Sequence, residues 1–109
     1  MGWLLREAEV LASVEVVTGI WARARGLLGR DGIDGALLLA HTRAVHTIGM
    51  RFAIDVAYLD KEMCVVRTAF LRPNRIGRPC LRARWVVEAE SGSFGRWNLQ
   101  RGDRLEVRS

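Results

Sequence analysis

A chain of 109 residues, 50 % apolar and 27 % charged, holds enough material for one modest core in a single domain and is too hydrophobic to stay disordered. Its net charge of +5 comes from sixteen arginines and one lysine, Lys61, and arginine offers carboxylates and phosphates a planar, bidentate contact that lysine does not copy. The longest aliphatic run, Ala36-Leu37-Leu38-Leu39-Ala40, falls far short of the ~20 residues that cross a bilayer as a helix.

In chain order, the opening Met1-Gly2-Trp3-Leu4-Leu5 is broken by Arg6, Glu7 and Glu9 and does not read as a secretory leader, so a cytoplasmic location is expected. Over residues 10–17, Val10, Ala12, Val14 and Val16 alternate with Ser13 and Glu15, the period of a half-buried strand. Thr18 is placed to cap a short helix over 18–29, in which Ile20, Trp21, Ala24, Leu27 and Leu28 recur at helical spacing before Gly29. From Gly32 on, short apolar runs alternate with turn residues, which predicts strands near 36–40, 45–48, 56–59, 65–70, 84–89 and 104–107. Asp60-Lys61-Glu62 reads as a hairpin turn, and the stretch 71–82, with Pro73, Asn74, Gly77 and Pro79, as the longest loop. Ser91 or Ser93 is positioned to cap one helical turn within 91–98. The expected fold is mainly β, a small sandwich or partly closed barrel with one short helix near 18–29.

Several blocks in fixed order resemble a known family: Arg25-Gly26-Leu27-Leu28-Gly29-Arg30, then Val45-His46-Thr47-Ile48-Gly49-Met50-Arg51-Phe52-Ala53-Ile54-Asp55, then Val87-Glu88 with Gly92, then Gly102-Asp103. The chain is similar, over about residues 10–108, to the bacterial and archaeal family called domain of unknown function 192. The resemblance implies a jelly-roll-like β-sandwich or barrel with a short helix and no defined activity. The chain departs from the family pattern at Ala53, where a proline commonly stands. It departs again at His46 to Met50, where many members carry Trp-Met-Lys-Asn-Thr.

Two groups of residues carry candidate chemistry. His46, Arg51 and Asp55 flank one short segment, and an Asp between Ile54 and Val56 needs partners if it is buried. Either it orients His46 as a base in a small ligand-binding barrel or enzyme, or it is a structural carboxylate that bonds loop amides or Arg51. Glu88, the lone charge in its run, is expected to point outward, and Asp103 to complete a turn. The second group is Arg67, Arg72, Arg75, Arg78, Arg82 and Arg84, which fall in an interval from Met63 to Val87 without one acid. This pattern fits an anion-facing surface, with an acidic protein the favoured partner over nucleic acid, since no RNA-binding signature appears. Cys64 and Cys80 show no Cys-x-x-Cys spacing, so they read as free thiols, and neither a metal nor a cofactor is indicated. The expected function is a non-enzymatic binding or accessory module. Oligomeric state does not follow from these patterns.

Overall fold

The computed structural model describes residues 2–19 and 31–109. Seven strands form a single sheet: β1 (Gly2–Arg6), β2 (Glu9–Val17), β3 (Ala36–Ala40), β4 (Ile54–Leu59), β5 (Val65–Leu71), β6 (Trp85–Glu90) and β7 (Glu106–Arg108). One five-residue helix, α1 (Ser93–Trp97), follows β6. The strand order is β5-β4-β6-β3-β2-β1-β7. Every neighbouring pair runs antiparallel except β2 and β3.

The mainly β reading holds, and the sheet does not close into a barrel. Its two edges nevertheless meet at one end. There Val65 N–H donates to the Asp103 carbonyl, Gly102 N–H to Val65 and Leu105 N–H to Met63, at 2.8–2.9 Å. The curled sheet wraps an inner cluster that takes Leu4, Val14, Leu38, Ala57, Leu59, Val87, Phe94 and Leu105 from both halves. The opposite face carries a second cluster, with Leu37, Leu39, Val56, Tyr58 and Val86 from the strands and Met50, Cys80 and Ala83 from the loops above them. Because β4 and β6 are buried on both faces, their apolar residues do not alternate with polar ones.

Three sequence expectations need correction. Residues 45–48 form no strand. They make one isolated bridge, His46 to Ile76, because their hydrogen bonds go to a neighbouring loop. The first strand, β1, was not expected at all, since it is short and flanked by charges. In β2 only Val14 of the four alternating positions Val10, Ala12, Val14 and Val16 is buried, and Val10 and Val16 are exposed. A bulge in the β1–β2 ladder, where Leu4 faces Ala12 but Leu5 faces Val10, flips Val10 to the other face. The helix expected over 18–29 lies almost wholly outside the described residues.

Candidate functional site

Residues 42–47 and 74–84 run antiparallel to each other as an irregular ribbon laid over the outer cluster. The bonds that join them are Thr42 N–H to the Arg84 carbonyl at 3.3 Å, and Cys80 to Arg43, Gly77 to Val45, Thr47 to Arg75 and Asn74 to Thr47, each at 2.8 Å. Thr47 is the clasp. Its side chain is fully buried, and its hydroxyl accepts the Arg75 N–H at 2.9 Å and donates to the Arg72 carbonyl. Gly77 lies so close to the layer beneath that a Cβ there would stand 2.9 Å from the Val45 carbonyl oxygen and 3.3 Å from the Tyr58 hydroxyl. Val45, Cys80 and Ala83 face down onto the sheet.

The outer side of the ribbon presents Arg75, Arg78, Arg82 and Arg84, and Arg72, whose carbonyl the Thr47 hydroxyl holds, adjoins it; all five are exposed. Among the described residues the ion pairs join Arg6 to Glu9 and Asp103, Arg51 to Asp31, and Arg108 to Glu106. None involves a ribbon arginine. The absence of acids from residues 63–87 therefore becomes, in three dimensions, a run of cations without carboxylate partners among the described residues. Arg67 differs from the other five. Its guanidinium carbon sits 4.5 Å from the centre of the Tyr58 ring and the group donates to the Arg78 carbonyl, so it ties the ribbon to β5. Arg84 is partly engaged as well, donating to the Ala83 carbonyl at 3.1 Å.

His46, Arg51 and Asp55 are each held by a different partner. His46 is exposed on the ribbon, where Nδ1 accepts the Ile48 N–H at 3.2 Å. Arg51 pairs with Asp31 at 2.7 Å. Asp55 is buried on the inner side of β4, and its Oδ2 accepts the N–H groups of Gly92 and Phe94, both at 3.0 Å, at the start of α1. The structural alternative for Asp55 thus describes its bonds, and it supplies the cap expected of Ser91 or Ser93. Asp103 behaves as expected, accepting from Gln100 N–H and Arg6 at 2.9 Å.

Glu88 corrects the sequence reading most strongly. It stands between Leu37 and Val56 on the adjacent strands, is 3 % exposed, and its Oε1 has no hydrogen-bond partner. Burial pushes its carboxyl up to about 7, because a low-dielectric surround disfavours the charged form. Tyr58, on the same face of β4, has a buried hydroxyl that is likewise unpartnered. Burial raises its pKa, and the nearby Arg67 guanidinium opposes that rise. The signal for Glu88 was its setting in Trp85-Val86-Val87-Glu88-Ala89, a run apolar at both parities, which marks a strand covered on both sides.

The family model for domain of unknown function 192 (DUF192), described as "Uncharacterized ACR", matches residues 4–107. The chain belongs to the DUF192 family. It is 30 % identical, over 97 % of each chain, to a UPF0127 protein of Pyrococcus abyssi. A UPF0127 protein of Pyrococcus furiosus is 38 % identical over 63 residues, 58 % of this chain and 54 % of that one. The crystal structure of a protein of unknown function from Novosphingobium aromaticivorans superposes with a TM-score of 0.82 at 15 % identity, covering 96 % of this chain and 82 % of the other. That likeness is one of fold. Among the described residues no helix is long and apolar enough to cross a membrane.

Proposed function

We propose that this DUF192 protein is a non-enzymatic binding module that docks onto an anionic partner through the outer side of the 42–47/74–84 ribbon. The observation that carries this reading is the contrast among arginines. Arg6, Arg51 and Arg108 are matched with acids, whereas Arg72, Arg75, Arg78 and Arg82 are exposed and form no ion pair among the described residues. A cationic surface left uncompensated raises the local concentration of anions and speeds their association. Because the two halves of the ribbon are stapled to each other by five main-chain hydrogen bonds and by Thr47, its charges are held in fixed relation, which lowers the entropy lost on docking. An alternative site built from His46, Arg51 and Asp55 finds less support, because their hydrogen bonds lead to three separate places.

The test is retention on immobilised heparin. Wild-type protein is expected to bind and to elute as salt rises, and the triple change Arg72→Gln, Arg75→Gln, Arg78→Gln is expected to elute at clearly lower salt. All three side chains are exposed, so the melting temperature should hold. Wild-type protein that fails to bind, or that binds without regard to salt or to the three arginines, removes the proposal.

A further inference from the structure

The ribbon is not only basic. Among the described residues the two most exposed large hydrophobic side chains are Ile76 at 78 % and Leu81 at 79 %, and both lie in the same stretch, Arg75-Ile76-Gly77-Arg78-Pro79-Cys80-Leu81-Arg82. Ile48, on the facing half of the ribbon, is 50 % exposed. Side chains exposed to that degree stand proud of the surface; they do not line a groove. They are also held in place. Ile76 is in the bridge to His46, and its neighbour Gly77 is bonded to Val45. Leu81 follows Cys80, whose N–H is bonded to Arg43.

We infer that the anionic partner is a lipid headgroup surface, on which the ribbon lies with its arginines among the phosphates and with Ile76 and Leu81 inserted between the acyl chains. This inference rests on the anion-docking reading above and narrows it. Charge complementarity selects an anionic surface. The interleaving of protruding aliphatic tips with arginines selects one that is both negatively charged and soft enough to admit them, with each arginine stem lying along apolar material while its head stays at the phosphates. An acidic peptide would pair with the arginines and leave the protruding Ile76 and Leu81 tips with nothing apolar to enter. A nucleic acid strand would be read by stacking aromatics, and among the described residues the exposed aromatics Trp3 and Phe70 stand on β1 and β5, off the ribbon. One electrostatic signal alone holds a protein to a membrane weakly, and a second, apolar one is what such surfaces add.

The experiment is co-sedimentation of the full chain with phosphatidylcholine vesicles that do or do not contain about 30 % phosphatidylserine, a strongly anionic surface. Binding is expected to the anionic vesicles only and is expected to fall as salt rises. Arg72→Gln, Arg75→Gln, Arg78→Gln should weaken it roughly a hundredfold, about fivefold for each basic residue at the surface. Ile76→Ser with Leu81→Ser should weaken it on the order of tenfold or more, through lost apolar burial, while leaving heparin retention and the melting temperature unchanged. Wild-type protein that sediments no better with anionic than with neutral vesicles overturns the inference, as does an Ile76→Ser, Leu81→Ser protein that binds them like wild type. If wild type ignores the vesicles yet keeps heparin retention, the anion-docking reading survives and the partner is an acidic polymer; if the serine variant binds the vesicles like wild type, anion docking survives without insertion of Ile76 and Leu81. If heparin retention fails as well, both fall.

Discussion

Asp55 brings a carboxylate into a strand whose two faces are both covered, and it is tolerated there because its Oδ2 takes two N–H groups that α1 leaves without intrahelical partners. Both bonds end on the same oxygen. An asparagine can place its carbonyl oxygen where that Oδ2 stands, so Asp55→Asn should lose only the charge assistance, about 1 kcal/mol. Asp55→Ala leaves both N–H groups unanswered, that of Phe94 in a buried setting, and should cost about 2–4 kcal/mol. His46→Ala, at an exposed position, should change stability by less than about 0.5 kcal/mol. Urea denaturation of the three variants checks this order, and an Asp55→Ala protein as stable as wild type would contradict the capping role. That Asp55 needed partners was legible from its apolar neighbours. Which partners it has was not, since Gly92 and Phe94 lie 37 and 39 positions away.

At the scale of elements, the ribbon depends on a glycine for close approach. Gly77→Ala would drive a Cβ to 2.9 Å from the Val45 carbonyl oxygen, a main-chain atom that cannot swing aside, and should cost about 1–3 kcal/mol. The strain is local, so hydrogen exchange at the ribbon amides, those of Thr47 and Gly77 among them, should accelerate more than exchange in β4 and β6. Gly95→Ala is the control. It sits in α1 with open space around the added methyl and should be neutral or stabilising by up to about 1 kcal/mol. If both variants melted alike, close packing beneath Gly77 would not be what seats the ribbon. The sequence marks residues 71–82 as a loop through Pro73, Asn74, Gly77 and Pro79, and they indeed form no regular strand beyond Leu71. Their pairing with residues 42–47 leaves no periodic trace, because an irregular ribbon obeys neither the strand nor the helix repeat.

For the whole molecule, Glu88 sets a pH dependence of stability. Its carboxyl titrates near 7 in the folded chain, against 4.5 as its ordinary value. Between those two values the folded protein keeps a proton that the unfolded chain releases, so stability is greatest below about pH 4.5 for this group, falls as pH rises, and levels off above about 7. The difference of 2.5 (7 less 4.5), at 1.36 kcal/mol for each pH unit, corresponds to about 3 kcal/mol as an upper figure. Glu88→Gln removes this contribution. The variant should gain stability relative to wild type on going from pH 5 to pH 8, by up to about 2–3 kcal/mol, as read by urea denaturation of both proteins at each pH. An unchanged difference between them across that range would place Glu88 in contact with water or with a cation.

Composition and local order determined that this chain is a mainly β domain, because apolar runs of strand length between turn residues leave few other ways to bury them. The same patterns located six of the seven strands to within about two residues and pointed to the acid-free arginine interval. Sequence order alone also placed the Asp60 turn, where Oδ1 accepts the N–H groups of Glu62 and Cys64, since such turns close on their own neighbours. Tertiary structure decided what depends on distant partners. It chose the parallel β2–β3 pairing, turned Glu88 inward beneath a layer supplied by other segments, and separated Asp55 from His46. It also gathered Arg72 to Arg84 with Ile76 and Leu81 on one stapled ribbon. The physical reason is that burial belongs to a residue's surroundings, and the second cover over β4 and β6 comes from loops with no periodicity through which the chain could announce it.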